Sequence, residues 1–173
     1  MRELARSTPG IYLGLGGNLD DPPAQIRRAA TILDEVPGVR LLRHSSLYRT
    51  PPLDHSAQPD YWNAVVEVDS ALEPTELLTA GQRIEAAFGR VRGRPWGPRT
   101  LDIDLLVYRD RRLTSDRLTI PHPGLAARAF VLYPLMELAP DLDVPGVGRV
   151  SDLVTRCGSP PLECIPFSDP ATR

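Results

Sequence analysis

Asp102 and Asp104 stand two residues apart in the run LDIDLL, with Leu101, Ile103 and Leu105 alternating around them. In a strand, residues i and i+2 share a face, so this spacing predicts two parallel carboxylates on a strand whose other face is buried. Parallel carboxylates repel unless a cation joins them. Magnesium commonly takes one or two carboxylates, keeps several waters and completes its shell with phosphate oxygens. Just upstream, Arg83, Arg90, Arg92, Arg94 and Arg99 are set against one acid, Glu85, which makes a positive patch suited to a multiply anionic ligand. An Asp-x-Asp alone is more often a solvated strand face. A solvated loop is also the better reading of Arg92, though not of Arg99, which is held between Pro98 and the aspartate strand. Together the carboxylates and guanidinium groups point to magnesium-nucleotide chemistry.

All 20 basic residues are arginine; the chain has no lysine. A P-loop lysine, a protein-kinase strand lysine and a Schiff-base lysine are thereby excluded, because each requires a primary amine. Any phosphate must be held by guanidinium groups, backbone N–H or metal. A second group is aromatic and amide: Tyr61, Asn63, Trp96 and Phe130. Flat heterocycles bind between aromatic faces while an amide reads the ring edge, although each residue alone reads equally as core or rim. His122, between two prolines, reads alone as structural. Gly14 to Gly17 is a weak phosphate-loop signal, since its glycines can serve a turn.

These groups need a frame. Ile11 to Leu15 reads as a strand leading into a turn, followed by a helix capped by Asp20 or Asp21, started by Pro22 and ended at Pro37-Gly38. Val39 to Tyr48 reads as one strand before a proline-rich loop. Tyr61 to Asp69 alternates cleanly, with Tyr61 and Asn63 on one face and Trp62, Ala64, Val66 and Val68 on the other. Pro74 opens a second helix closed by Gly89, after which come a basic loop, the aspartate strand and a short edge strand at Leu118 to Ile120. Leu125 to Val131 and Leu135 to Leu138 look like helices separated by Pro134. The order predicts a single-domain α+β fold, a ferredoxin-like antiparallel sheet with helices packed on one face.

At 173 residues and a net charge of -2, the chain suits one domain and has no global attraction for nucleic acid or anionic lipid. No apolar run approaches the roughly 20 residues of a membrane span. The expectation is a cytoplasmic monomer acting on small molecules, with no nucleic-acid or membrane partner. Cys157 and Cys164 lack a histidine cluster and read as free thiols. Residues 1–9 read as a flexible arm, 10–156 as the domain and 157–173 as an extension or loose tail of little apolar periodicity.

Several stretches carry a family resemblance: LGLGGNL from Leu13, SSLYRTPPL from Ser45, DYWNAVVEV from Asp60, QRIEAAFGRVR from Gln82, WGPRTLDIDLL from Trp96 and LTIPHPGLAARAFVLYPLMELAP from Leu118. On these the chain resembles the 6-hydroxymethyl-7,8-dihydropterin pyrophosphokinases of folate synthesis. The resemblance implies transfer of pyrophosphate from ATP to the pterin hydroxymethyl group, with release of AMP. It implies that Asp102 and Asp104 bind two Mg2+ ions and that Arg90 and Arg99 act on the triphosphate. It further implies that Gln82, Glu85, Arg92, Arg94, Leu105, Arg117, Thr119, His122 and Arg128 surround ATP. By the same resemblance Thr50, Pro51, Leu53, Tyr61, Asn63, Trp96 and Phe130 form the pterin pocket.

Two positions depart from the family pattern. Pro95 stands where an arginine often precedes the tryptophan, in a loop one residue shorter, and Pro123 stands where an aromatic can follow the histidine. Two other classes stay open on the residues themselves. An RNA-binding module of similar fold would explain Tyr61 and Arg90 but not the aspartates, which would repel RNA. A regulatory domain that binds a ligand without turnover would release no AMP.

Overall fold

The computed structural model describes residues 9–89 and 97–168. In chain order the elements are β1 (Ile11–Gly17), α1 (Pro22–Glu35), β2 (Val39–His44), β3 (Leu47–Thr50), β4 (Tyr61–Ser70), α2 (Pro74–Ala87) and β5 (Asp102–Tyr108). There follow β6 (Leu113–Thr114), β7 (Thr119–Ile120), a 3-10 turn (Leu125–Ala127) and α3 (Ala129–Leu138). The hairpin β8 (Asp143–Val144) and β9 (Gly148–Arg149), then α4 (Val150–Cys157) and β10 (Glu163–Ile165), complete the chain. The main sheet is antiparallel with order β10-β3-β4-β1-β5, and β2 also pairs with β4.

The α+β class holds, and its helices cover both faces of the sheet rather than one. Ile11, Leu13 and Leu15 of β1 pack with Ala64, Val66 and Val68 of β4 beneath α1 and α2. Tyr12, Val65, Leu106 and Val107 form a second core with Leu132 and Leu135 of α3 and Leu153 of α4. A register irregularity in β5 widens this second apolar face. The strand's register with β1 passes from Leu13↔Leu105 to Tyr12↔Val107, so Leu106 is an extra residue and both Leu106 and Val107 reach the second core. Such a face requires a helical cover of its own.

Helix α1 starts where Asp21, not Asp20, accepts the backbone N–H of Ala24 at 3.2 Å, with prolines in the first turn. Helix α2 begins at Pro74, and Glu76 accepts the Glu73 N–H at 2.8 Å. The expected single strand from Val39 to Tyr48 is two strands. Both pair with the ten-residue β4, and at the break the Ser45 hydroxyl accepts the Val65 N–H at 2.9 Å. Ser45 thus replaces a ladder bond with a side-chain bond. Pro134 lies inside one continuous helix, α3, instead of dividing two. It forfeits one backbone hydrogen bond, which is outweighed by burial of Val131, Leu132, Leu135 and Leu138.

The segment after Thr155 holds more order than its composition suggests. Helix α4 runs to Cys157, and β10 adds to the sheet beside β3. Phe167 stacks on His44 with ring centroids 4.0 Å apart, and its carbonyl accepts from Arg27. Cys157 and Cys164 are free thiols. Among the described residues no helix is long and apolar enough to cross a membrane.

One contact fixes the wall that α3 gives to the site. The Glu137 carboxylate accepts from the Ser46 N–H and hydroxyl at 3.0 Å and from the Tyr48 hydroxyl at 2.8 Å, joining α3 to the start of β3. Arg43 donates to the Leu138 carbonyl at 2.9 Å and satisfies an acceptor at the same, C-terminal end of the helix. Replacing Glu137 by alanine removes the acceptor shared by Ser46 and Tyr48 and should lower stability by about 1–2 kcal/mol. Urea unfolding of the two proteins, with unchanged slope, checks this.

Candidate active site

Strand β1 supplies the floor of the cleft by what it lacks. Gly14 pairs with Val65 on one side and Asp104 on the other, and Gly16 pairs with Asn63 and Asp102. With no side chain at either glycine, a trough runs between the amide of β4 and the carboxylates of β5. A Cβ at Gly16 would collide with the Asn63 amide oxygen, and one at Gly17 with the Thr100 carbonyl. These glycines therefore serve close approach within a strand, not a phosphate loop.

The cleft encloses about 560 Å³. Thr50, Pro51 and Leu53 line it from the end of β3 and the loop beyond, Tyr61 and Asn63 from β4, and Phe130 and Arg128 from α3 and its cap. Arg99, Asp102 and Asp104 line it from β5 and the residues just before that strand. Ten of the residues singled out by sequence thus share one cavity. The lining contains much more apolar than charged chemistry toward Phe130 and Leu53, and collects its charges at β5, an arrangement fit for a flat ring with an anionic tail.

Asp102 and Asp104 do lie side by side. Arg99 meets Asp102 with Nη1 2.6 Å from Oδ2, and the guanidinium lies 5.7 Å from the Tyr61 ring centroid. Burial first, then the neighbouring Asp102 charge, push the Asp104 carboxyl up to about 7; Arg128 and Arg99 oppose the shift and Glu85 adds to it. His122 Nε2 is 4.0 Å from Asp104 Oδ2. His122 Nδ1 accepts the Gly124 N–H at 3.0 Å, which leaves the proton of a neutral ring on Nε2, facing Asp104. Burial and the Arg128 charge lower the pKa of His122, against a smaller opposing pull from Asp102.

Among the described residues, the other expected nucleotide residues do not line this cavity. Glu85, buried on α2, accepts the Ile103 N–H at 2.7 Å and so satisfies a donor of β5, the end strand of the sheet. Leu105 points into the core shared with α1 and α2. Gln82 on α2, Arg117 beside it, with Nη2 3.4 Å from Thr79 Oγ1, and Thr119 on β7 belong to elements packed near β5. Arg90, Arg92, Arg94, Pro95 and Trp96 lie outside the described residues. Asp54 also lines the cleft and was not foreseen, its exposed loop giving no periodic signal. Asn18, 2% exposed, was read only as part of a turn.

Among the described residues no three His, Cys, Asp or Glu side chains gather around a metal position. A pair of carboxylates, one of them resisting ionisation, fits a magnesium ion that draws its remaining ligands from water and phosphate. It does not fit a closed structural site.

The family model for 7,8-dihydro-6-hydroxymethylpterin-pyrophosphokinase matches residues 12–140. The chain belongs to this family. A Pseudomonas aeruginosa protein named 2-amino-4-hydroxy-6-hydroxymethyldihydropteridine pyrophosphokinase is 43% identical over 156 residues, covering 90% of this chain and 96% of the relative. One of the same name from Methylorubrum extorquens is 47% identical over 135 residues, covering 78% and 85%. The fold matches wild-type Plasmodium falciparum HPPK-DHPS crystallised with pteroate at a TM-score of 0.66 and 15% identity, over 84% of this chain. This chain spans 42% of that longer one, and at that identity the likeness speaks for the pyrophosphokinase fold alone.

The Asp104 shift gives a signed prediction. A carboxyl whose folded pKa exceeds its unfolded value binds more protons when folded, so stability falls as pH rises through the interval from about 4 to about 7. Urea unfolding without divalent cations should show this decline, and Asp104→Asn should flatten it. Added magnesium should oppose it, because metal binding requires the carboxylate.

Proposed function

We propose that this pyrophosphokinase transfers the terminal pyrophosphate of ATP to the hydroxymethyl oxygen of 6-hydroxymethyl-7,8-dihydropterin, releasing AMP, as a step of folate synthesis. The observation that carries the reading is the trough over Gly14 and Gly16, with a ring-reading amide on one bank and paired carboxylates on the other. In this reading the pterin ring lies against Tyr61 and Phe130, Asn63 reads its edge, and Thr50, Pro51 and Leu53 close the rim. Trp96 is assigned to the same pocket from sequence. The triphosphate extends past Arg99 and Arg128 toward β5, with adenosine near Gln82, Glu85, Leu105, Arg117, Thr119 and His122.

The hydroxymethyl oxygen attacks the β-phosphorus in line. The bond from the β-phosphorus to the oxygen bridging it to the α-phosphorus breaks, AMP leaves with that oxygen, and the hydroxyl proton is lost. No side chain is assigned as a dedicated base. Positioning and electrostatic stabilisation are the main resources of phosphoryl transfer. Arg99 and, from sequence, Arg90 stabilise charge on the transferred group, with Arg92 and Arg94 contributing further phosphate contacts. Asp102 and Asp104 would hold magnesium, for which we propose two ions; when bound, it would neutralise phosphate charge. Arg99 guanidinium, already beside the carboxylates at 2.6 Å, is placed to exchange Asp102 for phosphate oxygen.

AMP release that depends jointly on ATP, pterin and magnesium is the direct test; ATP consumption indifferent to pterin would sink the reading. Asp102→Asn and Asp104→Asn should each remove most turnover, a loss of at least about a hundredfold, with the fold retained. Near wild-type activity of either at limiting magnesium would contradict the metal assignment. Asn63→Ala should weaken pterin binding far more than ATP binding, since a buried ring edge loses its partner, and calorimetry with each ligand separates the two. Among the arginines, Arg94→Ala should be milder than Arg99→Ala in the same assay.

A further inference from the structure

The two segments that border the cleft beyond β1 are joined through one buried amide. Asn18 follows β1 and is 2% exposed. Its Oδ1 accepts the Arg99 backbone N–H at 3.0 Å, and its own N–H donates to the Arg99 carbonyl at 3.0 Å. Its Nδ2 donates to Gln58 Oε1 at 3.2 Å and to the Pro59 carbonyl at 3.1 Å, both in the loop of residues 51–60. Gln58 Oε1 also accepts from the Tyr61 hydroxyl at 2.9 Å, and that hydroxyl is 3.2 Å from the Gly97 carbonyl. Asn18 does not line the main cleft; it borders a smaller hollow with Pro59, Asp60 and Trp62.

We infer that Asn18 is a positioning residue that couples the loop of residues 51–60 to Arg99, so that occupancy of the pterin side strengthens nucleotide binding and the reverse. This rests on the transfer reaction proposed above. One planar amide spends its acceptor on the segment that carries the phosphate-facing guanidinium and its donors on the loop that carries Pro51 and Leu53. A shift of either segment must turn the amide or break its bonds to the other. The amide is buried and its bonds are directional, so both segments are held in register together. The resulting coupling is reciprocal, as any equilibrium linkage between two sites must be.

Asn18→Asp keeps the acceptor for the Arg99 N–H and loses the donors to Gln58 and Pro59. Asn18→Leu keeps the approximate shape and loses both. Calorimetry of pterin binding to the full chain, with and without a non-hydrolysable ATP analogue and magnesium, gives the coupling as a ratio of affinities. For the wild type the ratio should be about fivefold or more. In both variants it should fall toward one, while the analogue alone binds within about twofold of wild type. A variant that retains the full ratio overturns the inference, as does a wild-type ratio near one. Equal losses for both ligands alongside a lowered unfolding midpoint would make Asn18 merely structural and also overturn it. If Asn18→Leu does not fold, Asn18→Asp decides alone. Failure of the wild type to release AMP would remove the transfer reaction, whereas the coupling is read from binding and stands or falls separately.

Discussion

Gly14 and Gly16 leave the central strand without side chains on the face turned toward α3, and the site depends on that omission. A strand paired on both edges and covered on both faces would ordinarily be filled by apolar residues, as Leu13 and Leu15 fill the other face. Here the omitted volume becomes the trough between Asn63 and the aspartates. Glycine within a strand costs roughly 0.5–1 kcal/mol relative to alanine through lost packing and greater unfolded-state freedom. The flanking strands offset this by burying apolar residues on both faces. Leu106, two residues beyond Asp104, continues the carboxylates' face in apolar form, with its methyl groups at ordinary contact distance from where a Gly14 side chain would begin.

Charge is arranged around this floor without being fully compensated. Asp102 is held by Arg99, but Asp104 faces burial, Asp102 and Glu85 together, which raises its pKa despite two nearby arginines. In a structural ion-pair network each carboxylate would gain a partner with the opposite effect. Uncompensated charge that persists in a cleft is stability given up for binding, and it marks the position where a cation between the carboxylates and an anion between the guanidinium groups would both be favourable. His122, kept toward its neutral form by burial and Arg128, turns its Nε2 toward Asp104 at 4.0 Å without adding a fixed charge.

Much of this was legible in sequence because it follows short-range rules. The period of two placed Asp102 with Asp104 and Tyr61 with Asn63 before any pairing was known, and the apolar residues at helical spacing placed α1 and α2. What escaped depended on long-range partners. Nothing local in Ser45-Ser46 reveals that Val65 will bond the Ser45 hydroxyl and end one strand there. Pro134 has a strong local tendency to break a helix, and only the buried surface of α3 overrides it. The extra residue in β5 is invisible in LDIDLLVY because apolar residues follow one another there without a break, and with it the placing of Val107 beside Leu106 in the second core. Among the residues lining the cleft, Asp102, Asp104, Tyr61 and Asn63 stood out by type and spacing, whereas Asp54 in its aperiodic loop did not, nor did Asn18, whose part lies in which backbone it bonds.

The two walls of the cleft are secured by different means, and this bears on how they can respond to ligands. Helix α3 is tied to β3 by the Glu137 carboxylate and buried along its length against the second core, so Phe130 and Arg128 sit at the end of a strongly packed element. The opposing segments around Arg99 and residues 51–60 bury few large apolar groups, and Leu53 is 67% exposed. Their positions rest instead on directional polar bonds meeting at Asn18, Gln58 and Tyr61. Dispersion and burial resist displacement over a wide contact area, whereas a hydrogen bond weakens steeply with distance and angle. A ligand entering such a cleft meets one wall that presents a fixed surface and another that can exchange one set of bonds for a second. Under the transfer reaction proposed above, specificity for a rigid ring would belong with the first, and adjustment of the groups facing phosphate with the second.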